Sequence, residues 1–95
     1  MDIQAADIVK SLAGRDKGKL FFVLNVKDGY AKLADGRGRK LEHPKRKKLK
    51  HVQIVSRTET PVADAIRTGG KVLNSELRRD LADFGQRFSQ NQGGK

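Results

Sequence analysis

The 95-residue chain contains no cysteine and no tryptophan, and aromatic residues make up only 5% of it. Without cysteine it can form neither a disulfide nor a thiolate metal site, which fits a reducing compartment, so we expect a cytoplasmic protein. No apolar run approaches the roughly 20 residues of a membrane-spanning helix, and no signal-peptide pattern stands at the start. The composition therefore predicts a small protein with no membrane partner.

Residues that could catalyse a reaction or hold a metal are also scarce. Catalysis needs a nucleophile with an oriented base, paired carboxylates in a cleft, or a metal ion. The acidic residues are scattered along the chain, and the serines stand in no recognisable motif. His43 and His51 lack the spacing of zinc ligands. We therefore expect a protein that is not an enzyme and that uses no cofactor and no metal.

Positive charge dominates the chain, with 21 Lys and Arg against 11 Asp and Glu and a net charge of +10. Residues 1–57 carry fifteen cations and six acids, whereas residues 58–95 carry six and five. A solubilising surface would spread charge of both signs more evenly. The imbalance predicts an extended polyanion as the partner of the first half, and charge alone leaves both RNA and duplex DNA open.

Apolar alternation predicts strands in residues 1–57, after a patternless start over residues 1–6 that we expect to be frayed. The first strand covers 7–12 and the second 20–26, where the alternation indicates one strongly buried face. Asp28-Gly29 is a strong signal for a type I′ hairpin turn. A short strand over 30–34 follows, and Asp35-Gly36 repeats the turn chemistry.

A strongly basic segment, residues 37–50, contains eight cations and one acid. So many charges cannot be buried, and Pro44 lacks an N–H for a sheet ladder, so the segment should form an exposed edge strand or loop. Residues 51–56 return to a strand pattern. Five short strands in about fifty residues predict a small, bent antiparallel barrel.

Helical patterns replace strand patterns after residue 57, which divides the chain into a barrel, 1–57, and a helical extension, 58–95. Thr60-Pro61 predicts the start of a short helix, and Gly69-Gly70 its end. Asn74 or Ser75 can cap a longer second helix, whose apolar stripe is Leu77, Leu81, Phe84 and Phe88. The stripe either packs on the barrel or makes helix 75–89 a docking site for a protein neighbour. The polar tail, 89–95, is expected to be disordered.

The loop over residues 13–19, Ala-Gly-Arg-Asp-Lys-Gly-Lys, joins the first two predicted strands. Its glycines can take positive φ, and its cations would be exposed to solvent, which suits a loop facing phosphate. A P-loop needs four residues between its glycines, a Ser or Thr after its lysine, and a helix. Here three residues separate Gly14 from Gly18, Leu20 follows Lys19, and a strand comes next.

The segment from Asp7 to about Asp35 resembles a KOW motif, with Asp7-Ile8-Val9 leading into the glycine loop and an alternating strand. The segment from His43 to His51 is similar to the one that follows the motif in KOW-containing ribosomal proteins of the archaeal and eukaryotic large subunit. Together the two resemblances cover about half of the chain. They imply an SH3-like β-barrel that binds structured RNA through its first inter-strand loop, with Gly18 as the motif's glycine and Arg15, Lys17 and Lys19 as its loop cations.

These observations predict a mostly β protein with an SH3-like antiparallel barrel and one short and one longer C-terminal helix. We expect it to be a monomer when it is not bound to RNA. Its cations would bind phosphates of ribosomal RNA, and its loop glycines would let backbone N–H groups approach them. A protein-interaction module and a transcription-associated KOW factor are the alternatives, although the low aromatic content is poorly suited to a peptide groove. The predicted RNA-binding residues are Gly14, Arg15, Lys17, Gly18, Lys19, Arg37, Arg39, Lys40, Lys45, Arg46, Lys47, Lys48 and Lys50.

Overall fold

Five strands followed by two helices make up the fold in this computed structural model, which describes residues 2–93, with side chains as far as residue 87. The number of strands and helices agrees with the sequence prediction. A single 3₁₀ turn, Leu49–His51, precedes the last strand. The elements are β1 (Asp7–Ser11), β2 (Leu20–Lys27), β3 (Tyr30–Ala34), β4 (Lys45–Lys48), β5 (Val52–Arg57), α1 (Pro61–Thr68) and α2 (Asn74–Gly93).

The strands form one antiparallel sheet in the order β4-β3-β2-β1-β5. Strands β1 to β3 form a meander because short connections favour antiparallel neighbours. The basic strand β4 lies at one edge, as expected, and β5 lies at the other. Within the described residues the sheet does not close, so the SH3-like barrel stays a prediction.

The two Asp-Gly pairs fold differently. Asp28 and Gly29 have φ of 53° and 80°, which confirms a turn with positive φ at both central positions. In the second pair only Gly36 has positive φ, 77°. The Oδ1 of Asp35 instead accepts hydrogen bonds from the backbone N–H groups of Arg37 and Arg39, at 2.9 and 2.8 Å. The expected tight turn is therefore wrong, and this carboxylate organises a longer β3–β4 connection.

The first half of strand β2 is buried on both faces, which corrects the expectation of one buried face. Phe21, Phe22 and Val23 are fully buried. Phe21 and Val23 pack with Leu33 in one cluster of the core. On the other face, Phe22 packs in a second cluster that includes four residues of the helices, Val62, Ala63, Leu77 and Leu81. The helices cover the second face, so the boundary near residue 57 separates two kinds of secondary structure that share one core.

The start of the chain is ordered, so its predicted fraying is wrong for residues 2–6. Ala6 is fully buried, and its N–H donates to the carbonyl of Val23 at 2.7 Å. The carboxylate of Asp7 is also buried, accepts from Gln4 N, and receives two hydrogen bonds from Arg57, at 2.8 and 3.0 Å. The hydrogen bonds from Arg57 to Asp7 raise the pKa of the Arg57 guanidinium above its ordinary value. Arg57 also donates to the carbonyl of Asp2, which anchors the terminus to β5.

Helix α1 begins and ends as the sequence predicts. The side chain of Thr60 accepts from Ala63 N at 3.1 Å, Pro61 is the first helical residue, and Gly69 closes the helix in the left-handed conformation. Asn74, predicted as a cap of α2, has a different role. Its Oδ1 accepts from Leu41 N at 2.8 Å and its Nδ2 donates to Glu42 at 3.0 Å, so it holds the β3–β4 connection against α2.

The apolar stripe of α2 packs on the sheet. Leu77 and Leu81 are buried and Phe84 is packed against the same cluster, whereas the side chain of Phe88 lies outside the described residues. The helical backbone continues to Gly93, past the residue where the sequence predicts disorder to begin, and residues 94 and 95 lie outside the described part.

Neither helix within residues 2–93 has both the length and the apolar character that a membrane span requires.

Candidate nucleic-acid interface

The β1–β2 connection, residues 12–19, is called the first loop here. Gly14 and Gly18 have φ of 80° and 88°, so their predicted role in turn geometry is confirmed. The loop is closed by hydrogen bonds from Gly18 N to Ser11 O at 2.8 Å and from Lys19 N to Asp16 O at 2.9 Å. The N–H of Gly18 is therefore engaged within the loop, contrary to the expectation that it faces a phosphate.

Asp16 connects the first loop to the basic segment, a role that the sequence does not reveal. Its side chain is 12% exposed and lies 3.2 Å from Lys45 Nζ, 3.8 Å from Lys19 Nζ and 3.9 Å from Arg39. Burial raises the pKa of this carboxyl, but the ion pair with Lys45 and the charges of Arg39 and Lys19 outweigh it, so the pKa lies below its ordinary value of 3.8. Asp16 stays ionised and holds three cations on one side of the loop.

The four cations of β4 divide between the two faces of this strand, because successive strand residues point to opposite sides. Lys45 and Lys47 are half-buried, whereas Arg46 and Lys48 are exposed. The Nζ of Lys47 donates to the carbonyl of Ala13 at 2.7 Å, next to the Lys45 ion pair with Asp16. The sequence predicts that the whole basic segment is exposed, and this is wrong for Lys45 and Lys47. These two residues of β4 support the first loop.

A cleft of about 590 Å³ opens between the first loop, the β3–β4 connection and α2. It brings together three cations that the sequence predicts as RNA contacts, Lys19, Arg37 and Arg39. Arg78 of α2 completes the set, and its guanidinium donates to the carbonyl of Gly36 at 2.6 Å. The wall of the cleft also carries Asp16 and Asp35, whose carboxylates hold the two loops in place.

Arg78 is the residue that sequence reasoning missed. Its position next to Leu77 and three residues before Leu81 places it beside the buried stripe, and such a residue must lie against whatever the stripe packs on. The position of Arg78 beside this stripe follows from the sequence, but the surface on which the stripe packs does not. Only the tertiary fold shows that the β3–β4 connection faces this side of α2.

The remaining predicted cations do not line the cleft. Arg15 and Lys17 are exposed in the first loop, and Lys40 is exposed in the β3–β4 connection. Lys50 lines a separate groove with Ile3 and Leu49. The structure therefore brings part of the predicted set together and leaves Lys50 apart.

The charge of the cleft is suited to attracting anions. Its four cations are one lysine and three arginines, whose side chains can donate hydrogen bonds to phosphate. Across the described residues, no three His, Cys, Asp or Glu side chains form a group able to hold a metal ion.

Comparison of the sequence with protein-family models and with curated proteins finds no match.

Proposed function

We propose that this protein binds structured RNA, as a ribosomal or ribosome-associated protein of the cytoplasm, and catalyses no reaction. The observation that carries the proposal is the cleft in which Lys19, Arg37, Arg39 and Arg78 converge from two loops and a helix. Exposed cations of the first loop extend the positive surface beyond it. A surface of this kind suits a continuous phosphate backbone better than a small anion.

The cleft cations would divide the contact between them. The exposed guanidinium of Arg37 can donate two parallel hydrogen bonds to a phosphate. Arg39 and Arg78 can add the N–H groups that their contacts with Asp16 and Gly36 leave free, and the exposed Lys19 contributes a point charge. Both aromatic side chains at the start of β2 are buried, so recognition here depends on backbone shape rather than on stacking of bases. If about six phosphates are neutralised, the slope of log K against log salt should be roughly −4 to −5.

The proposal includes a KOW domain with an SH3-like arrangement of strands. The resemblance over residues 7–35 and 43–51 supports it, as does the antiparallel meander β1-β2-β3 with β5 beside β1. In such a domain the first loop is the RNA-binding element, which agrees with its position at one wall of the cleft.

Two triple variants that remove equal charge test the proposal. One triple variant changes two exposed cations of the cleft and one of the adjoining first loop: Lys19→Ala, Arg37→Ala and Lys17→Ala. The other changes three exposed cations outside the cleft: Lys71→Ala, Arg79→Ala and Arg87→Ala. Filter binding to fragments of large-subunit ribosomal RNA over a range of salt measures both affinity and slope. The first variant should weaken binding and make the slope shallower by roughly 2 to 3, and the second should change the slope little. Equal effects would contradict a site at the cleft.

Sedimentation of a native lysate tests the ribosomal setting separately. The protein should travel with large ribosomal subunits at low salt, because phosphate contacts hold it there. Release only at high salt would indicate an accessory factor. Migration as a free small protein at every salt would contradict the ribosomal assignment.

A further inference from the structure

A second positively charged groove lies on the sheet, away from the cleft. It is about 540 Å³ in volume and lies between the end of the β2–β3 hairpin and β4. Its lining includes three cations, Lys27, Lys32 and Arg46, and the chain's one tyrosine, Tyr30. The only carboxylate of that lining within the described residues is Asp28, at the hairpin turn.

The guanidinium of Arg46 lies over the ring of Tyr30, with its central carbon 3.6 Å from the ring centroid. Sheet register explains the pair. Lys32 lies opposite Arg46 and Tyr30 lies opposite Lys48, so Tyr30 and Arg46 are diagonal neighbours on one face of the sheet. Diagonal neighbours are within reach when one side chain is aromatic and the other is long.

Arg46 is exposed, and among residues 2–87, whose side chains the structure describes, its guanidinium takes part in no hydrogen bond or ion pair that would compete with a ligand. A guanidinium that packs one face on an aromatic ring is held flat and presents its other face and its edge. Planar, cationic surfaces of this kind stack nucleobases, while neighbouring lysines contact the adjoining phosphates.

We propose that this groove binds one unpaired nucleobase of an RNA strand, stacked on the Arg46 guanidinium that Tyr30 holds in place. Lys27 and Lys32 contact the phosphates on either side, and the amide of Asn25 lies in the same lining, where it can hydrogen bond to a base edge. Tyr30 acts as a positioning residue. The inference rests on the proposed function and adds a single-stranded element to an interface otherwise made of phosphate contacts.

Oligouridylate and an abasic oligomer of equal length test the inference, because the two carry the same phosphates and differ only in their bases. The native protein should bind oligouridylate about 5- to 10-fold more tightly than the abasic oligomer. This ratio corresponds to the lower end of the range of free energies for stacking one base on a protein side chain. Arg46→Lys keeps the charge but not the planar group, so it should remove this preference and leave abasic affinity unchanged. Arg37→Lys, the matched control in the cleft, should keep the preference.

Intrinsic fluorescence supplies an independent signal, since the chain has one tyrosine and no tryptophan. Oligouridylate should change the emission of Tyr30, and the abasic oligomer should not. Equal affinity for the two oligomers, or the same result for Arg46→Lys and Arg37→Lys, would overturn the stacking site while leaving RNA binding at the cleft intact. If the protein binds neither oligomer and does not bind structured ribosomal RNA, the proposed function is overturned, and this inference with it.

Discussion

Lys45 places its Nζ 3.2 Å from the Oδ2 of Asp16, which joins the edge strand β4 to the first loop. Lys47, on the same face of β4, donates to the carbonyl of Ala13, which precedes Asp16 in the first loop. Cations that the sequence predicts as RNA contacts therefore also fix the shape of the loop that would meet the RNA. Charge and structure cannot be changed independently at these two positions.

Asp16→Asn should lower the free energy of unfolding at neutral pH by about 1 kcal/mol, because only Lys45 among its three partners is shielded from solvent. The folded pKa of Asp16 lies below 3.8, so its contribution is complete above that value and is lost as the pH falls through the folded pKa. Urea unfolding of the two proteins should show a gap at about pH 7 that narrows below about pH 4. A gap that is constant over this range would contradict an ionic role for Asp16.

The two faces of β4 should respond differently to equal losses of charge. Lys45→Ala with Lys47→Ala removes the half-buried pair and should cost about 1–2 kcal/mol of stability, since both contacts with the first loop are lost. Arg46→Ala with Lys48→Ala removes the exposed pair and should change stability by less than about 0.5 kcal/mol. Thermal unfolding compares the variants, and both should bind RNA more weakly. Equal stability of the two double variants would argue against anchoring by Lys45 and Lys47.

Gly36→Ala should destabilise the protein by roughly 2–3 kcal/mol. Gly36 has a φ of +77°, and an added Cβ would collide with the backbone carbonyl of Asn74. Gly38 is two residues away in the same connection and has open space around it, so Gly38→Ala is the matched control and should be nearly neutral. Chemical denaturation measures both. A neutral Gly36→Ala would show that the β3–β4 connection does not pack closely against α2.

Leu77→Ala should cost about 2–5 kcal/mol and should destabilise sheet and helices together. Leu77 is fully buried in the core cluster that holds Phe22 and Ile8, so the two parts of the chain share one hydrophobic core. For the same reason a fragment that ends at residue 60 would expose Phe22 and should lack a cooperative unfolding transition. Circular dichroism during heating follows both. A fragment that unfolds cooperatively would show that residues 1–57 fold without the helices.

Local chemistry explains which parts of the fold the sequence predicts. The Asp28-Gly29 turn, the Thr60 cap and the Gly69 helix end depend on neighbouring residues alone, and all three are confirmed. The edge position of β4 follows from charge and Pro44, because neither suits a central strand.

Long-range contacts explain what the sequence does not predict. The burial of Phe22, on the face of β2 opposite Phe21, depends on helices that begin about forty residues later in the chain. Asp35 and Asn74 are typical turn and cap residues, but both direct their side chains to the β3–β4 connection. The cleft is predicted in part, since charge density marks Lys19, Arg37 and Arg39, whereas Arg78 joins them only through the packing of α2.

Amide chemical shifts of the full chain, titrated with an RNA hairpin of a large-subunit ribosomal sequence, test the central claim most directly. Binding at the cleft predicts the largest changes in residues 15–19, 36–39 and 77–82, with changes at Lys71 and in α1 remaining small. A variant with Arg78→Ala should reduce those changes more than Arg79→Ala, its exposed neighbour on α2. Changes confined to α1 or to the groove beside Lys50, or none at all, would contradict the account.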